Sequence, residues 1–147
     1  MILRLIKTSA AVVILARSSG STADATGLIA EGESLMRDGR VDEAVSVLEQ
    51  AVARDPTSSL AFTRLGGAQL LRQEHNAAIL SFRKAIMLDG NNADAFVGMA
   101  MAYLHSGDYA LTRAALEEAK RIDPAKQAKV DEVIGYIDRR EAGGGAH

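Results

Sequence analysis

Three histidines are the first candidates for a catalytic or metal-binding role, because an imidazole can act as a general base or bind a metal ion. They are His75, His105 and His147, which lie 30 and 42 positions apart in a sequence of 147 residues. The sequence contains no cysteine, which excludes disulfides and thiolate metal sites. We therefore expect no metal centre, and we interpret His75 as a residue that packs in a turn.

A glycine pair and an acidic pair are the other candidates for chemistry. Gly66-Gly67 would suit a phosphate-binding loop only between a strand and a helix, and no strand is expected. Glu117-Glu118 is typical of a solvated helix face. The formal charge of −2 leaves no excess of Lys and Arg to neutralise the phosphates of a nucleic acid. We expect a protein that is not an enzyme, has no catalytic residues and no cofactor, and binds no nucleic acid.

The composition favours one helical domain. A chain of this length can bury a modest core. Hydrophobic residues make up 48% of the sequence but aromatic residues only 4%, so small and medium aliphatic side chains must fill that core. Such side chains suit closely packed helices better than a sandwich of two sheets.

A pattern that repeats at a constant interval indicates how the helices are arranged. Asp55, Asp89 and Asp123 each end an apolar run, and they lie 34 positions apart. Further columns repeat with the same period, small residues at Gly32, Gly66 and Ala100, and large ones at Leu28, Phe62 and Phe96 and at Leu48, Phe82 and Leu116. A fixed period of this length is typical of stacked units that cannot bury their apolar faces alone.

Within each unit the spacing of apolar residues predicts two helices. In the third unit Phe96 and Tyr103 share one helical face. Gly107 then suits a left-handed helix end, and Asp108 suits the N-cap of the next helix. The second unit carries Gln73 in place of that glycine.

The stretches AFTRLGGAQLL…AILSFRKAI and AFVGMAMAYLHSGDY carry this pattern of small and large residues best. With them the chain resembles tetratricopeptide repeat (TPR) proteins, whose unit is a helix–turn–helix of the same period. The resemblance implies an all-α fold, a right-handed superhelix of antiparallel helix pairs. Three units would occupy 25–58, 59–92 and 93–126, followed by a capping helix at 127–140 and a flexible tail at 141–147.

In the proteins that this chain resembles, a second stripe on the first helix of each unit lines the concave side, where peptide partners lie. The resemblance implies an adaptor or scaffold that binds a helical or extended apolar segment of a protein partner there, driven by burial of apolar surface. The corresponding positions here are Ile29, Glu33, Met36, Arg37, Thr63, Gly67, Leu70, Leu71, Val97, Met101, Leu104 and His105.

Some TPR proteins clamp an acidic C-terminal carboxylate with Lys and Asn on the concave side. The corresponding places in this chain hold Ile29, Thr63 and Val97, and Glu33, Gly67 and Met101. We therefore expect no such clamp. The stripe could also be covered by the C-terminal helix, by an uncleaved N-terminal helix or by a second copy, which would make the chain a self-associating structural module, and both alternatives stay open.

The first 25 residues differ from the rest. A basic start, an apolar run over 10–16 and the ending Ala23-Asp24-Ala25 match a secretory signal peptide cleaved after Ala25. An amphipathic N-terminal helix or a start codon placed too early are the alternatives. The apolar run is too short to span a bilayer, so no stable membrane span is expected after processing. An exported chain would be periplasmic or secreted, and by analogy with other TPR proteins would assist envelope, secretion or pilus assembly; otherwise it would be cytoplasmic.

Overall fold

Seven α-helices occupy most of the region that the computed structural model describes, residues 24–144. In chain order they are α1 (Ala25–Arg37), α2 (Val41–Arg54), α3 (Ser59–Leu71), α4 (His75–Leu88), α5 (Ala93–His105), α6 (Tyr109–Ile122) and α7 (Gln127–Gly144), with a 3-10 turn at Pro124–Lys126 before α7. This region contains no strand, and the predicted all-α fold is confirmed. The predicted signal segment lies outside it except for its last two residues.

The helices recur at the interval that the sequence repeats. The first helices of the pairs begin at residues 25, 59 and 93, and the second helices begin at residues 41, 75 and 109. Each pair is therefore one unit of the repeat. The first helices α1, α3 and α5 lie side by side in one layer, and each second helix packs against the first helix of the next pair. The result is a TPR-like superhelix.

The periodic aspartates separate one helix pair from the next. At Asp55, Asp89 and Asp123, Oδ1 accepts a hydrogen bond from the backbone N–H two residues further on, at 2.9 to 3.1 Å. Such a side-chain bond forms an Asx turn, which takes the chain out of the helix. Proline follows two of these aspartates, whereas Gly90 follows Asp89. The aspartate, and not the proline, is therefore the element that all three breaks share.

The turn inside each pair contains one residue in the left-handed backbone conformation. The φ angles of Gly39, Gln73 and Gly107 are 75°, 64° and 78°, and the left-handed turn predicted at Gly107 is confirmed. The backbone N–H of Glu74 donates to the carbonyl of Gln69 at 2.9 Å, which closes the second turn as a Schellman motif. Gln73 thus occupies a conformation that costs a residue with a Cβ about 1–2 kcal/mol.

We predict that Gln73→Gly stabilises the protein by about 0.5–1 kcal/mol. Glycine removes the strain of the left-handed conformation, and part of that gain is offset by the greater freedom of glycine in the unfolded chain. The measurement is urea unfolding followed by circular dichroism. Gly107→Gln is the matched reverse change and should destabilise the protein, whereas equal stability of both variants would contradict the prediction.

The last helix, α7, covers the apolar face that the third pair leaves open. Val130, Val133 and Ile137 are buried against Ala115 and Leu116 of α6. The opposite side of α7 carries charged residues in contact with solvent. The array therefore ends on a polar surface, as a stacked repeat protein must.

The predicted capping helix at 127–140 is longer in the structure, since α7 continues to Gly144. Residues 141–144 of the predicted tail are helical, and residues 145–147 lie outside the described region. The additional turn is held at Glu141, whose Oε2 accepts from Nη2 of Arg113 at 2.7 Å. Arg113 also pairs with Asp138 at 2.6 Å, so one α6 side chain holds two turns of α7.

A polar network around Asn92 links the second pair to the third. Its Oδ1 caps α5 by accepting from the N–H of Ala95 at 2.9 Å. Its Nδ2 donates to Ser59 Oγ and Thr63 Oγ1, both at 2.8 Å. Ser59 in turn donates to the carbonyl of Ala85 at 2.8 Å. The network therefore joins the N-terminal end of α5 to α3 and α4.

Candidate functional site

A groove opens on the side of the array formed by the first helices of the three pairs. Its volume is about 690 Å³. The lining residues are Glu33, Met36 and Arg37 of α1, Thr63, Arg64, Gly67 and Leu70 of α3, Asp94, Val97 and Gly98 of α5, and Phe82 of α4. This is the concave side of the superhelix.

Phe82 forms the floor of this groove from the helix layer behind it. The residue is 2% exposed, and its ring lies between Gly66 of α3 and Gly98 of α5. A Cβ at Gly66 would lie 2.8 Å from the ring, and a Cβ at Gly98 would lie 2.3 Å from it. Both distances are shorter than real carbon contacts. The ring therefore reaches the groove because these two positions have no side chains.

The walls of the groove are apolar in the middle. Met36, Leu70 and Val97 are half-buried there, and each comes from a different first helix. A Cβ at Gly67 would meet no atom of the described region within 4 Å. Gly67 therefore leaves a recess between two apolar walls, and a ligand side chain could fill it without displacing protein atoms.

The charged groups of the groove lie near its rim, and most of them pair with one another. Arg64 Nε donates to Glu33 Oε1. Lys126 Nζ donates to Asp94 Oδ1 at 2.6 Å, which raises the pKa of Lys126 above its ordinary value. Arg37 differs, because its Nε makes only a long bond of 3.4 Å to the carbonyl of Glu33. Among residues 24–144, no carboxylate forms a salt bridge with Arg37.

Seven of the residues predicted to bind a partner line this groove, namely Glu33, Met36, Arg37, Thr63, Gly67, Leu70 and Val97. The structure thus brings together predicted residues from all three units. Thr63 has no free donor there, because its hydroxyl donates to the carbonyl of Ser59 at 2.8 Å and accepts from Asn92. Binding by these residues stays a prediction.

Four lining residues are missing from the predicted stripe, Arg64, Phe82, Asp94 and Gly98. Two of them, Phe82 and Gly98, can be identified from the repeat pattern of the sequence. Phe82 stands in the column of Leu48 and Leu116, and Gly98 stands 34 positions after Arg64. Because Phe82 is larger than the leucines in its column, the residue that packs against its ring must be smaller than its equivalents in the other units. Gly98 is that smaller residue.

Two residues of the predicted stripe, Ile29 and Leu71, do not line this groove. Ile29 is 8% exposed and packs in the core with Leu28, Ala51 and Ala61. It is buried because α2 and α3 both close over this part of α1. Leu71 is the last residue of α3, and its side chain is 58% exposed.

Met101 and Leu104 also lie apart from the groove, in a smaller cleft between α5 and α7. They share this cleft with Val133 and Tyr136 of α7. Both α5 residues are half-buried. The C-terminal helix therefore borders Met101 and Leu104 of the third unit, whereas the part of the predicted stripe from α1 to Val97 of α5 is open among the described residues.

The structure brings two of the three histidines together. His75 begins α4 and His105 ends α5, and their rings stack with centroids 5.2 Å apart. The Nδ1 atom of His105 lies 2.8 Å from the carbonyl of Met101. These contacts make the pair a packing feature of the turns. Within residues 24–144, no three potential metal ligands come together.

Family comparisons agree with this architecture. One tetratricopeptide repeat model matches residues 29–95, and a second matches residues 93–126. The chain belongs to the tetratricopeptide repeat family. None of the helices in the described part of this TPR protein combines the length and apolar character needed to span a bilayer.

A curated relative and two solved structures show how far the similarity extends. Anaphase-promoting complex subunit 3 of Schizosaccharomyces pombe is 31% identical over 98 residues, which is 67% of this chain and 15% of that protein. The chain spans only 13% to 25% of the length of the curated relatives it matches.

Among solved structures, MamA is 25% identical with a TM-score of 0.76, and the match covers 87% of this chain and 73% of MamA. The Yersinia enterocolitica type III secretion chaperone SycD, in complex with a peptide of the translocator YopD, has a TM-score of 0.72. It is 18% identical, and the match covers 79% of this chain and 93% of SycD. At that identity the SycD match shows the fold alone.

We predict opposite effects on stability for alanine at two neighbouring glycines of α3. Gly66→Ala should destabilise the protein by about 1–2 kcal/mol, because overpacking against the Phe82 ring outweighs the gain in helix propensity. Gly67→Ala should stabilise it by up to about 1 kcal/mol, because the new Cβ meets no atom. Urea unfolding of both variants is the measurement, and equal stabilities would contradict the position of Phe82.

Proposed function

We propose that this TPR protein is a non-catalytic adaptor that binds a peptide segment of a protein partner in the groove. One observation carries the proposal, the open apolar groove that α1, α3 and α5 form together. Its walls are apolar while most of its rim charges are already paired. A ligand could therefore bury apolar surface there without leaving a desolvated charge unpaired.

The energetics of such binding suit a segment that covers the groove. Burial of apolar surface contributes about 25 cal/mol per Å² before the entropy of association is subtracted. The recess at Gly67 allows one ligand side chain to enter deeply, and a buried side chain of this kind dominates many interfaces. Met36 adds an adaptable thioether to the wall, so the surface can fit more than one sequence.

Proteins of the same fold give further support. SycD has been solved in complex with a peptide of the translocator YopD. The second TPR domain of Spaghetti (RPAP3) has been solved with the peptide SRMEEVD of HSP90. Peptide binding is therefore a property that this fold can provide, and the groove of the present chain is the surface that would use it.

The principal test is a groove-filling variant, Gly67→Trp. Its Cβ meets no protein atom, so the fold should persist while the indole occupies the recess. A photoreactive residue at Val97, in cells of the source organism, should form an adduct with a partner that disappears in the Gly67→Trp background. We expect at least a tenfold loss of adduct, in line with the loss of a central interface side chain.

The matched control places the same photoreactive residue at Met87. This side chain is 79% exposed on α4, outside the groove. An adduct from Met87 of equal yield, or an adduct from Val97 that survives Gly67→Trp, would overturn the proposal. An adduct that contains only a second copy of the chain would establish the alternative, a self-associating module.

The proposal extends to location, with the chain exported to the periplasm or secreted and active in envelope or secretion assembly. The composition of residues 1–25 supports an export signal. Asp24 lies within the predicted signal and also caps α1, because its Oδ1 accepts from the N–H of Gly27 at 2.8 Å. Cleavage after Ala25 would remove this cap, whereas cleavage after Ala23 would keep it.

We predict that a chain beginning at Thr26 is less stable than one beginning at Asp24 by about 1 kcal/mol, the usual contribution of an N-cap. Thermal unfolding of the two chains measures the difference. The intact mass of the protein from its source organism then shows which N-terminus exists. An unprocessed chain in the cytosolic fraction would contradict export, and leave the adaptor proposal standing.

A further inference from the structure

Among residues 24–144, one charged residue of the groove has no salt-bridge partner. Of its four charged lining residues, Glu33 and Arg64 pair with each other, and Asp94 pairs with Lys126. Arg37 is exposed, and within the described region it bonds only to a backbone carbonyl of its own helix at 3.4 Å. A hydrogen bond of that length is weak. The group that would complete the rim is therefore an acceptor with negative charge.

The same charged residues disfavour a ligand with a positive charge. A Lys or Arg on a ligand would have to compete with Arg64 for Glu33 or with Lys126 for Asp94. Breaking either pair would leave a protein cation without its carboxylate. Charge complementarity thus discriminates between an acidic and a basic ligand.

The apolar requirement comes from Gly67 and its neighbours. Gly67 places no side chain in the groove, Leu70 and Val97 border the space in front of it, and Phe82 lies in the floor. A large apolar side chain that enters between α3 and α5 would contact these residues. The backbone of a ligand could not fill this space alone. The ligand therefore needs a large apolar side chain there, and we call the residue that carries it the anchor residue.

From these two features we infer that the segment bound in the groove carries a large apolar anchor residue and a carboxylate that pairs with Arg37. The inference rests on the proposed function and specifies its ligand. Neighbouring helices lie about 8–10 Å apart, and Arg37 lies on α1 whereas the anchor space lies between α3 and α5. An extended segment, at about 3.3 Å per residue, would span that separation with roughly three to five residues.

The experiment selects a phage-displayed library of random dodecapeptides on the intact protein. Binders that fail on Gly67→Trp are kept, because they need the groove. We expect their common pattern to contain one Leu, Met, Phe or Trp and one Asp or Glu, separated by about three to five positions. A parallel selection on Arg37→Glu should replace the acidic residue by Lys or Arg.

A synthetic peptide with the selected sequence allows the contact to be measured by fluorescence anisotropy. Arg37→Gln should weaken its binding by about tenfold, as expected for loss of one charge-assisted hydrogen bond. Arg83→Gln is the matched control, since Arg83 is exposed on α4 outside the groove, and it should leave the Kd unchanged. Both variants remove one positive charge, so a general electrostatic effect would appear in both.

The possible failures of the two proposals can be told apart. If no selected peptide loses binding on Gly67→Trp, the groove is not a peptide site and both proposals fail. If peptides depend on the groove but carry no acidic residue, or bind equally well to Arg37→Gln, the ligand specificity inferred here is wrong while the adaptor function stands.

Discussion

The close approach of neighbouring helices is the constraint on which this structure depends. It is achieved by a small residue on a first helix, glycine in the first two pairs and Ala100 in the third, and a large residue sixteen positions later on the second helix. A Cβ at Gly32 would lie 2.5 Å from Leu48, and a Cβ at Gly66 would lie 2.8 Å from Phe82. With few aromatic residues available, the core is filled because helices approach closely and not because side chains are large.

The groove follows from the same constraint. Phe82 is larger than the leucines in its column, so Gly98 must also be small, and the ring fills the position that a side chain of Gly98 would occupy between α3 and α5. Asn92 also joins α5 to α3 by donating to Ser59 and Thr63. The floor of the groove is therefore determined by packing, and the same residues that hold the second and third pairs together shape the surface that a ligand would meet.

The repeat period made the fold predictable, because a constant interval between equivalent residues determines where each helix begins without reference to any distant contact. The site was less predictable, because a stripe on one helix does not reveal what covers it. Ile29 is buried by α2 and α3, and Met101 faces α7, which lies outside the three repeats. Gly98 could be recognised only by comparing equivalent positions of different units, because the need for glycine there comes from the Phe82 ring on α4.

The position of α7 decides how much of the concave side is available. It buries Val133 against the third pair and forms a separate cleft with Met101 and Leu104, so the stripe ends at α5. If the open apolar surface continued to the last helix pair, apolar residues would be exposed at the end of the array. A ligand bound there would contact the protein on one side only. By closing the last unit, α7 confines the open surface to the place where α1, α3 and α5 surround it. A short array of three units can therefore contain a groove that residues of all three first helices border.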